Sequence, residues 1–207
     1  LLRYKAPVDY QDNEGRYSLL QAVCNKNLTL VETLLANGAN PNLLDENNRN
    51  CLHWAINLSS SDANTSNEIE NRLLSSGANP NAVDIRGRTP LHYAFVKIGD
   101  PFNNSQIDPI ETVSNLISRQ GVQLDLRDLW GNTPLHYAAQ RGALVSALYL
   151  MKNEVNINNV NIEGNTPLNE CLLQGHQNMT IGLSAYQSNE PQKLGWSLGL
   201  PFRRTSN

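Results

Sequence analysis

Four histidines and three cysteines are the side chains of this sequence best suited to chemistry: His53, His92, His136 and His176, with Cys24, Cys51 and Cys171. Histidine supplies metal ligands and proton transfer near neutrality, and a thiolate supplies a nucleophile. Two of the histidines stand in nearly identical phrases. "GRTPLHYAF" begins at Gly87 and "GNTPLHYAA" at Gly131, each setting a histidine beside a tyrosine. A metal site would need such histidines to converge on one ion at about 2.0–2.1 Å. A Ser–His–Asp or Cys–His site would need its members to arrive from separate elements. Either outcome depends on what positions the phrase.

The phrase recurs. Its opening glycine has equivalents at Gly15 ("GRYSLLQAV"), Asn48 ("NRNCLHWAI") and Gly164 ("GNTPLNECL"), so copies start at 15, 48, 87, 131 and 164, in steps of 33, 39, 44 and 33 residues. Two steps of 33 beside two longer ones mark a 33-residue unit carrying insertions. A second phrase travels with the first: "NGANPN" ends at Asn42, "SGANPN" at Asn81, "QGVQLD" at Asp125 and "NEVNIN" at Asn158. The opening "YKAPVD", ending at Asp9, is a fifth copy. Leu1-Leu2 then corresponds to Leu34-Leu35, and the expectation is a chain that starts inside a repeat of something longer.

Each unit reads as two short helices and an extended finger. Thr89-Pro90 places a capping residue before a proline in the first turn, where the missing N–H costs nothing. Leu91, Ala94 and Phe95 follow at helical spacing. A second helix such as 29–36 puts Val31, Leu34 and Leu35 on one face. Gly38 and Gly77 suit the left-handed position that ends it. Asn48 and Glu154 stand where the phrase expects glycine, a strain of roughly 1 kcal/mol each. One such pair cannot bury its apolar face, whereas stacked neighbours make a continuous core.

This resembles the ankyrin repeat, whose signature T-P-L-H stands intact at residues 89–92 and 133–136. It is altered to Asn50-Cys51-Leu52-His53 and Thr166-Pro167-Leu168-Asn169, and weakest at Tyr17-Ser18-Leu19-Leu20. The resemblance implies an all-α ankyrin-repeat solenoid of stacked helix–turn–helix units with β-hairpin-like fingers, about four and a half repeats plus partial terminal units. The expected array covers 1–183, with a partial unit at 1–14, and 184–207 forms a C-terminal tail. A fainter likeness, in the block from Gly87 to Ser118, is to the ankyrin segments of tankyrase-like ADP-ribosyltransferases. That likeness would make the chain a recruiting segment of a larger enzyme, although no catalytic residue of the family stands here.

Insertions fall at 57–67 ("NLSSSDANTSN") and 99–109 ("GDPFNNSQIDP"), between the first and second helices. The first is Ser/Asn-rich and reads as a mobile loop. The second reads either as a surface loop or as a lateral docking site centred on Phe102. The tail carries Trp196, Leu198, Leu200 and Phe202, which either cover the core of the last repeat or belong to a disordered end.

Within a repeat the chemical reading of the histidines weakens. Equivalent residues of stacked helices sit roughly 8–10 Å apart, too far to share an ion. The resemblance implies instead that His53, His92 and His136 tie each helix start to the neighbouring finger. It makes His176 the histidine of a structural Gly-His pair. Cys51 takes the proline slot and Cys171 the small-residue slot. No phosphate-binding GxxxxGK[ST] occurs. The reading is therefore a binding scaffold without cofactor or metal and not, on this chain, an enzyme.

Recognition then falls to the surface. The first finger-tip position reads Asn13, Glu46, Ile85, Leu129, Ile162, and the second Glu14, Asn47, Arg86, Trp130, Glu163. Ile85, Leu129 and Ile162 suggest an apolar ridge with Trp130 at its centre. Arg16, Arg49 and Arg88, one place after the glycine slot, suggest a basic row, with local salt bridging to Glu14 and Glu46 as the competing reading. Gln140 and Arg141 are expected to face the same groove. A protein partner is implied. Nucleic acid is not, because the net charge is −3 with no basic field. No apolar run reaches the roughly 18 residues of a membrane span. Three cysteines without CxxC spacing and the lack of a signal-peptide pattern at Leu1–Lys5 point to an intracellular protein, cytoplasmic or nuclear.

Overall fold

A computed structural model describes residues 7–12, 15–58, 63–96 and 108–188. Ten helices follow one another among them: α1 Ser18–Cys24, α2 Leu28–Ala36, α3 Cys51–Asn57, α4 Ala63–Ser75, α5 Pro90–Tyr93, α6 Ile110–Ile117, α7 Pro134–Arg141, α8 Leu144–Lys152, α9 Pro167–Gln174 and α10 Gln177–Gln187. The odd-numbered helices stack in chain order, and the even-numbered ones stack in a second layer beside them. The result is an all-helical solenoid of five helix pairs.

Helix boundaries follow local chemistry. Thr133 holds an extended backbone and Pro134 opens α7, fixing the first turn without losing an intrahelical bond. Gly142 and Gly175 end α7 and α9 in the left-handed conformation. Asn48 and Glu154 adopt the left-handed backbone expected of their slots, with φ of 57° and 63°. Lys26, in the slot held by Gly142 and Gly175, does the same at φ 52°.

The core is one continuous file between the two layers. Leu19, Leu52, Leu91 and Leu135 stand at one position of successive first helices, each fully buried. Val31, Leu34, Leu73, Val113, Leu116, Ala147 and Leu150 fill the matching faces of the second helices. Burying a leucine completely contributes roughly 1.5–3 kcal/mol. No unit owns enough of these contacts to fold by itself, so cohesion resides at the joints between units.

Two departures concern the insertions. Residues 63–67, expected as mobile loop, form the first turns of α4, which reaches 13 residues against 9 in α2. The reason is burial: Ser66, Ile69, Glu70 and Leu73 recur at helical spacing and all face inward. Ser/Asn-rich composition hid that periodicity. In the second insertion Phe102 lies outside the described residues, but Asp108 is placed. Its carboxylate accepts the backbone N–H of Val145 (2.7 Å) and of Ser146 (3.1 Å), together with the Ser146 hydroxyl. The insertion thus ends by capping the helix of the next unit.

At the other end α10 continues to Gln187, four residues past the expected limit of the array. Tyr186 packs on the core, and its hydroxyl donates to the Met151 carbonyl (2.6 Å). Trp196, Leu198, Leu200 and Phe202 lie outside the described residues.

Candidate functional site

The fingers are Asp-centred turns rather than paired strands; among the described residues the single bridge is Gln11–Tyr17. In the second, third and fourth fingers one oxygen of Asp45, Asp84 or Asp128 accepts the backbone N–H groups two and four residues on, at 2.8–2.9 Å. The other oxygen accepts from an aromatic side chain nine residues on. Trp54 Nε1 donates to Asp45 (2.9 Å), the Tyr93 hydroxyl to Asp84 (2.8 Å) and the Tyr137 hydroxyl to Asp128 (2.6 Å). Each finger is thereby bolted to its own first helix. In the last unit the polarity reverses: Asn161 donates through Nδ2 to Glu170 Oε1 (3.0 Å). Acceptor and donor have exchanged places, and the bolt survives.

Neighbouring fingers are joined through backbone. Ile85 N–H donates to Asn47 O (3.0 Å), Leu129 N–H to Arg86 O (2.9 Å) and Ile162 N–H to Trp130 O (2.9 Å). At the last two of these joints the glycine after the tip makes room for the neighbouring finger. A Cβ on Gly131 would stand 3.1 Å from Asn161 Cα, and one on Gly87 would stand 3.2 Å from Asp128 Cα; both glycines have φ near +75°. The tips are thus held in register by bonds that do not involve their side chains.

Those side chains face outward. Leu129 is 67% exposed, Ile162 70%, Ile85 52% and Trp130 41%. The Arg86 guanidinium lies 5.9 Å from the centre of the Trp130 ring and makes no ion pair among the described residues. Three consecutive fingers therefore present aliphatic groups around one aromatic ring flanked by a cation.

The histidines are fully occupied below the tips. The Thr89 backbone N–H donates to Nδ1 of His92 (3.0 Å), which leaves Nε2 to donate to the carbonyl of Asn132 in the next finger (3.1 Å). His136 repeats this with Thr133 and Asn165, and His53 with Asn50 and Arg88. Burial, only partly offset by these bonds, pushes His53 and His92 down to about 4 and lowers His136. Such rings stay neutral and have no free nitrogen for a metal or a proton. His176 donates or accepts at the Gln140 carbonyl (3.0 Å). Burial likewise pushes the Cys51 and Cys171 thiols up to about 12, far from a thiolate nucleophile.

A family model described as ankyrin repeats (three copies) matches residues 1–81, 19–101 and 103–191. The chain belongs to the ankyrin-repeat family. No curated protein matches it. Ankyrin repeats are in general modules of protein–protein interaction and typically carry no catalysis. Among the described residues of this ankyrin array no helix is long and apolar enough to cross a membrane, and no cluster of three or more His, Cys, Asp or Glu side chains is arranged to hold a metal ion.

Two expectations for the array's surface need correction. The arginines of the basic row belong to the fingers. Arg88 is buried with Asp84, its terminal nitrogen 2.7 Å from the carboxylate, and Arg49 is mostly buried against Asp45 at 2.8 Å and over the Trp54 ring. Arg16 is the exposed one, and it pairs with Asp12 (2.8 Å). The partners placed among the described residues are the finger aspartates four residues earlier; Glu46 is not one of them, and Glu14 lies outside the described residues. An arginine is held here because the carboxylate that nucleates the turn lies within one guanidinium's reach. Gln140 and Arg141 are half-buried and engaged in the helix layer: Arg141 donates to Phe95 O (3.1 Å) and Gln140 to Glu170 (3.1 Å). They fasten α7 to its neighbours. The aromatic–aspartate bolts were the functional geometry that sequence reasoning missed, and their signal is the constant interval of nine residues.

Proposed function

We propose that this ankyrin array binds a protein partner through the finger-tip ridge Ile85–Leu129–Trp130–Ile162, with Trp130 as anchor and Arg86 orienting an acidic group of the partner. The observation that carries this reading is a contiguous set of exposed apolar side chains on tips whose backbone is held by other atoms. Folding does not require those side chains to be apolar. An exposed tryptophan among aliphatics with an arginine beside it has the composition of an interface hot spot. The partner that fits is an apolar segment bearing a carboxylate on the Arg86 side, since that cation has no ion-pair partner among the described residues.

Trp130→Ala tests this reading by affinity purification from cells alongside a thermal melt. The expected outcome is loss of partners with a melt shifted by no more than 2 °C. Unchanged capture would remove Trp130 as anchor. A collapsed melt would make it a folding residue. A role in recruiting substrates to a larger enzyme would use the same ridge; the family match is to ankyrin repeats in general and adds nothing specific to that narrower reading.

A further inference from the structure

The buried side-chain atoms that lack a hydrogen-bond partner among the described residues gather at one seam. They are Ser66 Oγ and both carboxyl oxygens of Glu70 on α4, with Asn115 Nδ2 on α6 and Arg119 Nε just beyond it. Glu70 is fully buried. It stands three residues before Leu73, and the residues three before Leu34, Leu116 and Leu150 are Val31, Val113 and Ala147, each fully buried and apolar. One second helix in the file therefore carries a carboxyl group at a core position.

The elements packed against α4 are α2, α3 and α6. Their ionisable groups are otherwise engaged or turned outward. Glu32 of α2 pairs with Arg72 of α4 (2.8 Å). His53 of α3 bonds Asn50 and the Arg88 carbonyl, and the Cys51 sulfur faces the Tyr17 hydroxyl (3.3 Å). Glu111 of α6 accepts from Asn67, and Arg119 donates to Asn71 and Asn115. Glu68 of α4 is exposed. No cation among them pairs with Glu70. Thr112 and Asn115 act on its carboxyl, but neither forms a well-shaped bond to it.

We propose that Glu70 is a proton-operated joint between the second and third units: protonated, it packs in the α4–α6 seam as a neutral side chain, and ionised, it opens that seam to water. An ionised carboxylate without a partner cannot stay in an apolar seam, whereas the neutral acid can. Burial pushes Glu70 up to about 7, with Asn115 and Thr112 opposing weakly, which puts the change within the range of cellular pH. Because cohesion resides at joints, weakening this one separates units one and two from the three that carry the ridge.

The sign follows from linkage. The folded form holds the proton more tightly than the unfolded form, so the stability from protonation is complete below about 4.5 and is lost as pH rises through about 7. From pH 5.5 to 8.5 the folding equilibrium constant should fall roughly thirtyfold from this group alone. His53 and His92 titrate in the opposite sense in every variant, so the informative quantity is wild type minus Glu70→Gln. Chemical melts of the full chain at the two pH values should show this difference, and Glu70→Val, which restores the residue of Val31 and Val113, should abolish it as well. Parallel pH dependence in wild type and Glu70→Gln would overturn the proposal. Should the variants not fold, the carbon-13 shift of the Glu70 carboxyl in the wild-type chain decides. A midpoint near 7 with loss of amide protection in α4 and α6 supports the joint, and a midpoint below 5 overturns it.

Discussion

Asp84 and Glu70 are two carboxyl groups buried in one array, and they are treated in opposite ways. Asp84 sits in a finger. Burial alone would raise it, but bonds from the Arg88 side chain and backbone and from the Tyr93 hydroxyl outweigh that and hold it below the ordinary carboxylate value. Glu70 sits between second helices, where among the described residues no comparable set of donors arrives and burial prevails. Both side chains are buried, Glu70 the more deeply, and only Asp84 is met by several donors. A buried charge is tolerated where the local backbone turn supplies N–H groups, and it becomes a liability or a switch where a helix, with its amides already paired, does not.

The two carboxyls also bend stability in opposite directions with pH. The Asp84 contribution is present above the ordinary carboxylate range and is lost as pH falls through its lowered value. His53 and His92, buried neutral, add to the acid loss as pH drops from about 6.5 toward 4. Glu70 acts against both. Its protonation stabilises on the acid side.

The largest expected effect is at the finger. Asp84→Ala leaves Arg88, Tyr93 and two backbone N–H groups without their acceptor, and should cost about 3–5 kcal/mol by denaturant titration at pH 7. A loss below about 1 kcal/mol would show that the bolt is ornamental and would erase the contrast with Glu70, whose replacement by valine at pH 8.5 is expected to be stabilising.

The next effect concerns the reversed bolt of the last unit. Asn161→Asp would set a second carboxylate against Glu170, where Asn161 Nδ2 now lies 3.0 Å from Oε1, and should cost about 1–3 kcal/mol. Adding Glu170→Tyr recreates the pair seen at Tyr93–Asp84 and Tyr137–Asp128. A double-mutant cycle should return a favourable coupling of about 1–2 kcal/mol. Additive losses would mean that the two positions do not form one device.

Much of this was legible in the chain. The 33-residue step follows from the repetition itself, and the capped, proline-led first helices follow from short-range rules. The structural use of His53, His92 and His136, whose bonds reach a finger 29–40 residues on, is what the family resemblance implies. The exposed tips were read from register alone. Three features were not. The partners of Arg49 and Arg88 were not legible: the salt-bridge reading of the basic row points to Glu14 and Glu46, whereas Asp45 and Asp84, polar themselves, give no apolar signal. The start of α4 was hidden by serine and asparagine whose inward face shows only through Ile69 and Leu73. Glu70 was passed over because a glutamate in a helix is ordinarily a surface residue; only alignment on Leu73 against Val31, Val113 and Ala147 exposes it.

The smallest expected effect on stability lies at the ridge. Trp130→Ala should change folding by no more than about 0.5 kcal/mol, as for a surface side chain without a structural role. That same position gives the most direct test of the binding role assigned to the tips. A captured partner is titrated against the wild-type array and against Ile85→Ala, Leu129→Ala, Trp130→Ala and Ile162→Ala, each with its melt recorded. The predicted result is an affinity loss of at least about tenfold at Trp130 and smaller losses at its three neighbours, with all melts intact. Equal affinities across the five proteins would contradict it.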